Sequence, residues 1–388
     1  MEVLYKVLFY MSGFIIVWAM LGYPISLKLI GRLYRDRYLK KDYTYQPSVT
    51  VMVVAHNEEK VILEKLNNLI ELNYPEEKIE FLIASDNSTD RTNEIVNQFI
   101  EQHKDINMRL YEVKSRKGKT NAQNEAQKTV TTEYLVMTDA NSVMEKDSVK
   151  ELMSVFTSED IAYVSGRLTI INQESSDVSN AEASYWDSDL ATREIEGKIQ
   201  SITAGNGALY ACRTKDYYEF DPIQCHDSAM PPLYALQGKR AIANHDAIAY
   251  EKAGEVIEDE FGRKVRMNRI ILKQILPDIR ILNIFRYKWF SYFYFGHRTC
   301  RYLLWISHLI LLVSNALLIS ESLYYLIIFS AQILFFLSAL IKAITKSNNK
   351  YLTLTYYYCI TVVAQWVGVF NILTGRAKPF WEKAETTR

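Results

Sequence analysis

Glu133-Tyr134-Leu135-Val136-Met137-Thr138-Asp139-Ala140-Asn141 is the stretch on which the fold turns. A short apolar run, Leu135 to Met137, leads into a carboxylate and then an amide. Such a run before a polar break predicts a strand covered on both faces of a sheet. Asp139 and Asn141 then stand just past the strand's carboxyl end, where open α/β sheets bind ligands. A strand followed by an ordinary polar turn would read the same way, so the surrounding chain has to decide.

Upstream, strands and helices alternate. Val49 to Ala55 is an apolar strand ending at His56-Asn57-Glu58-Glu59, and Val61 to Leu72 has helical spacing. Ile79 to Ala84 is a second strand, ending at Ser85-Asp86. Ser88-Thr89-Asp90 can cap a helix over Arg91 to His103. Met108 to Val113 is a third strand, followed by Lys117-Gly118-Lys119 and a helix from Thr120 to about Lys128. This alternation predicts a mostly parallel sheet with Glu58, Asp86, Lys119 and Asp139 along one edge. No GxGxxG follows the first strand, and Val113 stands where a P-loop needs glycine, which excludes both of those nucleotide motifs.

Downstream, Tyr163 to Ile171 reads as a strand and Ser179 to Gln200 as a helix carrying Tyr185 and Trp186. Ala204 to Arg213 is a glycine-bearing loop running into a strand. Cys225-His226-Asp227 opens another segment, and Glu258 to Arg269 is a helix dense in basic residues.

Apolar residues are segregated to the two ends. Val7 to Leu27 carries no charge over about 21 residues, enough to cross a bilayer. Lys28, Arg32, Arg35, Arg37, Lys40 and Lys41 follow, so this flank is expected on the cytoplasmic side and the amino terminus outside. Tyr302 to Ser320, Ser322 to Ile341 and Tyr351 to Gly375 are three further spans of sufficient length. Phe285 to Arg301 mixes aromatic and basic residues, as a helix lying in the interface does. The basic tail, with Arg376, Lys378, Lys383 and Arg388, also admits a re-entrant or interfacial path for the last span. Residues 1–46 are therefore expected to form a helix and basic juxtamembrane segment, 47–284 a cytoplasmic domain, 285–301 an interfacial segment and 302–388 a second membrane region.

The chain has 388 residues with 45 basic and 45 acidic side chains, a balance that excludes a dedicated nucleic-acid binder. Cys212, Cys225, Cys300 and Cys359 lie far apart, as free thiols in a reducing compartment do.

Taken in order, His56-Asn57-Glu58-Glu59, Ser85 to Asp90, Lys117-Gly118-Lys119 with Asn124, Asp139-Ala140-Asn141, Gly207 to Arg213, His226-Asp227 and Arg263-Lys264-Val265-Arg266 resemble the motifs of membrane-bound family 2 inverting glycosyltransferases, similar to bacterial polysaccharide synthases. The resemblance implies an α/β GT-A fold, a Rossmann-like nucleotide-diphospho-sugar transferase domain with one amino-terminal and about three carboxyl-terminal transmembrane helices. It implies that Glu58, Asp86, Lys119, Asp139, Arg263, Lys264 and Arg266 bind the nucleotide-sugar, and that Gly207 and Arg213 lie on the acceptor side. Asp139, with Asn141 in place of the family's usual second carboxylate, would hold Mg²⁺ or Mn²⁺ together with the diphosphate; Asn141 as a plain turn residue is the alternative. Lys119 would face either the diphosphate or the base, and the basic helix would also suit anionic lipid. Asp227 would be the general base, with His226 beside it.

The implied activity is transfer of a sugar, from a UDP-sugar in the first instance, to a growing cell-surface polysaccharide such as a capsule or exopolysaccharide, at the plasma or inner membrane. Processive synthases carry tryptophan after the last arginine of the basic motif; here Met267 stands there. That departure supports an alternative, one sugar added to a polyprenyl-linked carrier. A second alternative is a non-catalytic, nucleotide-sugar-binding membrane scaffold. Four spans are few for a polysaccharide channel, which would call for an oligomer or an accessory export protein.

Overall fold

The structure, a computed structural model, describes residues 1–34, 39–347 and 349–380. Arg35, Arg37, Lys383 and Arg388 lie outside the described residues. The expected alternation is present: β1 (Val49–Ala55), β2 (Ile79–Ser85), β3 (Met108–Glu112) and β4 (Tyr134–Asp139) are separated by helices α2 (Ile62–Ile70), α3 (Thr92–Gln102) and α4 (Lys119–Gln127). These four strands are parallel, in the order β3-β2-β1-β4. Their alternate side chains fill two core layers. Val51, Val53, Phe81, Ile83 and Val136 meet α2 and α3 on one face. Met52, Leu82, Leu135 and Met137 meet α4 on the other. Burial on both faces is why the strands read as unbroken apolar runs.

The second half adds antiparallel pairing to the mostly parallel sheet. Among the described residues the sheet has eight strands in the order β3-β2-β1-β4-β7-β6-β8-β5 and is mixed. β7 (Leu209–Arg213) is antiparallel to both β4 and β6 (Ile161–Ile170), β8 (Arg240–Glu251) is parallel to β6, and the short β5 (Val143–Met144) is antiparallel to β8. β7 reverses direction because the chain reaches it from the loop over the sheet's carboxyl edge. Helix α6 (Asp177–Ile199) runs between β6 and that loop, and α7 (His226–Leu236) and α8 (Ile257–Met267) follow; α5 (Ser148–Ser154) covers β8.

Among the described residues, three helices are long and apolar enough to cross a membrane: α1 (Glu2–Leu33), which contains a π-turn at Trp18–Gly22, then Leu323–Thr345 and Lys350–Leu373. A fourth span is reached only if Trp289–Tyr302 and Leu304–Leu318, bent by 63°, count as one. The segment from Phe285 to Arg301 buries Phe290, Phe293, Tyr294, His297 and Arg298. Tyr23 of α1 packs on its Gly296, where any side chain would run into the ring.

The last apolar helix departs from a simple crossing. Tyr357 Oη donates to Glu260 of α8 at 2.8 Å. A β-carbon on Gly368 would lie 2.7 Å from the Asn268 carbonyl oxygen. Two points eleven residues apart, about 16 Å along a helix, thus rest on the helix-rich edge of the strand domain.

Candidate active site

The carboxyl ends of β1, β2 and β4 open into one cavity of about 300 Å³. Of the expected site residues, Glu58, Asp86, Lys119, Asp139, Asn141, Gly207, Asp227, Arg263 and Arg266 all line it. Each reaches the cavity for a local reason. Asp139 is the last residue of β4, and Lys119 starts α4 directly after Gly118, whose φ of +98° is a conformation that favours glycine. Asp86 follows β2; its carboxylate accepts the backbone N–H groups of Lys117 and Gly118 at 3.1 and 2.9 Å. That pins the β3–α4 loop against the end of β2.

The centre of the cavity is an ion pair between Lys119 and Asp139. Burial opposes the Lys119 charge, yet the Asp139 carboxylate holds its ammonium above the ordinary value. Gly207, expected on the acceptor side, stands against this pair: a β-carbon there would be 3.2 Å from Lys119 Nζ and 3.5 Å from Asp139 Oδ2. Behind the Asp139–Ser142 turn, buried Lys65 donates to Thr138 Oγ1 at 3.0 Å and to the Ser142 carbonyl at 2.6 Å. Burial pulls its ammonium down to about 7, with Asp139 and Glu251 opposing.

Asp227 sits in the first turn of α7, and its carbonyl accepts the Gly205 N–H at 2.7 Å. Burial raises its carboxyl above the usual range; Lys119 acts against this and Asp139 with it. His226 is buried, and it lines the cavity beside Asp227. Its Nε2 meets Asn124 Oδ1 at 3.1 Å and Tyr217 Oη at 3.2 Å, and burial followed by Lys119 lowers it to about 3. Its role is to anchor the α7 start to α4, which makes Asn124 a structural tie.

Two expectations do not hold in space. Arg213 is far from the cavity: its guanidinium donates to the Ile161 carbonyl at 3.0 Å, the Tyr134 hydroxyl at 2.5 Å and the Ser158 carbonyl at 2.9 Å. Because β7 is antiparallel to β4, Arg213 pairs with Tyr134 at the strand's start, whereas Leu209 pairs with Thr138 near the cavity. Lys264 is buried over the rings of Tyr357 and Tyr185, 4.4 and 5.2 Å from their centroids, and pairs with Glu260 at 3.1 Å. Arg263 and Arg266 are three apart on one helical face; Lys264 is about 100° round from Arg263, so the helix turns it away. An aromatic side chain from another element, Trp186 of α6, lines the same cavity as Met267.

Glu182, Glu251, Arg116 and Phe380 also line the cavity and were not singled out from the sequence. Glu182 holds Arg263 at 2.8 Å, and Arg263 also pairs with Glu260 at 2.7 Å. Glu182 had a signal, since it lies four residues before Trp186 on one helical face. Glu251 ends a strand absent from the sequence reading.

The donor set fits a divalent cation that arrives with phosphate. Among the described residues no group of three or more His, Cys, Asp or Glu side chains could hold a metal alone. Asp139 offers one carboxylate and Asn141 one amide oxygen, and Mg²⁺-type sites commonly take one or two carboxylates and complete the shell with phosphate and water.

Comparison with known proteins follows this geometry. Residues 50–218 match the family described as Glycosyl transferase family 2. "Probable glycosyltransferase YdaM" of Bacillus subtilis is 33% identical over 165 residues, 40% of this chain and 39% of that protein. "Poly-beta-1,6-N-acetyl-D-glucosamine synthase" of Staphylococcus epidermidis is 27% identical over 142 residues, 33% of each chain. "Beta-monoglucosyldiacylglycerol synthase" of Nostoc sp. is 28% identical over 153 residues, 39% of this chain and 31% of that protein. The chain thus matches about two fifths or less of the length of these curated relatives. Among solved structures, "Mannosyltransferase PcManGT from Pyrobaculum calidifontis in complex with GDP-Man and Mn2+" superposes with a TM-score of 0.73 over 95% of this chain and 99% of that one, at 21% identity. That likeness is one of fold, and the fold is GT-A.

Proposed function

We propose that the protein transfers a sugar from a nucleotide-sugar, with inversion, to a growing cell-surface polysaccharide, a reading supported by the match of residues 50–218 to Glycosyl transferase family 2 and by the GT-A fold. A UDP-sugar is the donor in this reading, and the catalytic domain faces the cytoplasm. The observation that carries it is the convergence of Lys119, Asp139 and Asp227 on one cavity.

Asp227 takes the proton of the acceptor hydroxyl as that oxygen bonds to the anomeric carbon. The bond from that carbon to the diphosphate oxygen breaks on the opposite face, so one displacement inverts the configuration. Burial leaves Asp227 a stronger base than a surface carboxylate. Lys119, Arg263 and Arg266 place fixed positive charge at the cavity, where charge develops on the leaving diphosphate. Asp139 and Asn141 would hold Mg²⁺ or Mn²⁺, which when bound supplies further neutralisation of that charge. Trp186 offers the acceptor sugar an apolar face.

The docking of the last helix on α8 favours a second reading. It leaves α1, Leu323–Thr345 and the bent pair Trp289–Tyr302 and Leu304–Leu318 to cross, few for a channel, and so fits a lipid-linked acceptor that receives one sugar. A donor screen on detergent-purified protein with Mg²⁺ and Mn²⁺ tests both, reading nucleoside diphosphate release and product length. Release with long polymer supports the first reading. Release that requires added lipid carrier and stops at one sugar supports the second. Binding without any release overturns both and leaves a scaffold.

A further inference from the structure

The chain does not end at the last helix. Beyond Leu373, Gly375 takes a φ of +69°, and the N–H groups of Arg376 and Ala377 donate to the Asn371 carbonyl at 2.8 and 3.1 Å. This turn sends the tail back to the strand domain. The Pro379 carbonyl then lies against Gly118, so close that a β-carbon on Gly118 would be 2.5 Å from its oxygen. Next to it, the Phe380 ring is 4.8 Å from the Arg116 guanidinium, centroid to carbon. Phe380 lines the cavity beside Arg116, Gly118 and Asp86, and is 36% exposed.

An aromatic ring left open in a charged cavity is costly unless something covers it. The cavity keeps about 300 Å³ with the ring in place, so the ring is a wall rather than a plug. Asp86, at the same end, is already fixed by two backbone N–H groups and has acceptor capacity left. A flat aromatic face beside a carboxylate acceptor suits a nucleobase, which offers a π-face and ring N–H donors. We propose that Phe380, delivered by the carboxyl-terminal turn and backed by Arg116, stacks on the nucleobase of the donor nucleotide, so that the segment after the last helix is part of the substrate site. This rests on the nucleotide reading of the cavity. It also requires the tail to lie on the catalytic side of the membrane.

The test is calorimetry on the full chain in detergent with Mn²⁺, using uridine diphosphate, guanosine diphosphate and base-free pyrophosphate as probes. Phe380→Ala is expected to weaken the better-bound nucleoside diphosphate about tenfold, within the range of one base–aromatic stack, and to leave pyrophosphate unchanged. Phe380→Trp is expected to bind like wild type. Unchanged or tighter nucleotide binding in Phe380→Ala overturns the stacking, the latter marking the ring as an obstruction. Equal loss for pyrophosphate also overturns it, since the ring would then only hold the fold. If wild type binds pyrophosphate but neither nucleotide, the nucleotide reading itself falls and the stacking with it.

Discussion

Asp227 shows what one position in a protein interior does to a carboxylate. Burial disfavours its charge, and Asp139 adds to that, so the proton leaves at a higher pH than from a free aspartate near 3.8. A base acts when ionised. The acid limb of kcat/KM should therefore lie above the ordinary carboxylate range, activity falling as pH drops through it. Asp227→Asn should lower kcat by about 10²- to 10⁴-fold, the usual scale of general-base catalysis, while nucleoside diphosphate binding persists. A pH–rate profile and a binding isotherm check the two halves separately, and near-normal turnover in the variant would remove Asp227 from the chemistry. Asn141 poses the opposite question, a carboxylate that is missing. Asn141→Asp restores a second hard anionic ligand beside Asp139, so Mn²⁺ should bind about tenfold or more tightly without nucleotide, each added carboxylate strengthening a hard-cation site. Electron paramagnetic resonance titration of free Mn²⁺ reads this directly. Equal affinity in the two proteins would place residue 141 outside the metal's reach.

Two helices do work that their apolar or polar pattern alone does not announce. Helix α6 carries Glu182 and Trp186 to the cavity. Further along, Asp189 and Glu196 hold His297 at 2.9 and 2.7 Å, and Glu196 also accepts from Tyr23 of α1 at 2.6 Å. One helix thus joins the active site to the membrane segments through buried polar bonds, which are costly to break when one partner is lost. The last helix is the other case. Glu260 receives Tyr357 Oη while also pairing with Arg263 and Lys264. Tyr357→Phe removes a buried hydrogen bond to a charged group, worth about 1.5–3 kcal/mol. The expected result is a lower melting temperature together with faster proteolysis in the 346–350 connection as the helix undocks. An unchanged melting curve would mean that the contact carries no load.

For the molecule as a whole, acid stability follows from groups folded in their neutral form. Folded His226 stays unprotonated down to about 3, whereas the unfolded chain protonates it near 6.5. Between those values the unfolded chain binds one more proton, so stability is full above about 6.5 and falls as pH drops. The slope from this residue approaches about 1.4 kcal/mol per pH unit. Thermal inactivation of nucleotide binding, followed from pH 7 to pH 5 in wild type and His226→Gln, should show the wild type losing more with acid. Parallel curves would mean that other groups set the acid limit. His226 is remote from the membrane helices, so its loss of stability would be read in the strand domain, where four parallel strands and both core layers meet.

Local pattern was enough for everything that depends on neighbours in the chain. Apolar runs of strand length, helical spacing between them and polar residues at each strand end follow from the periods of backbone geometry. They located β1 to β4 and, with them, Glu58, Asp86, Lys119 and Asp139 on one edge. On α8 the expectation grouped Lys264 with Arg263 and Arg266, although helical spacing sets Lys264 on a different face. What only the tertiary structure decided depends on residues far apart in the chain. The reversed direction of β7 moved Arg213 to the far end of β4, because antiparallel pairing inverts which end of a strand meets the cavity. β8, with its polar and charged residues, showed its place only through pairing with β6 and β5. The last helix reads by composition as a span, yet a glycine and a tyrosine hydroxyl seat it on α8. Phe380, 262 residues after Gly118 (380 less 118), enters the cavity only because the chain returns there. Spacing along the chain records hydrophobic periodicity; which distant surfaces meet is set by packing and pairing of the whole.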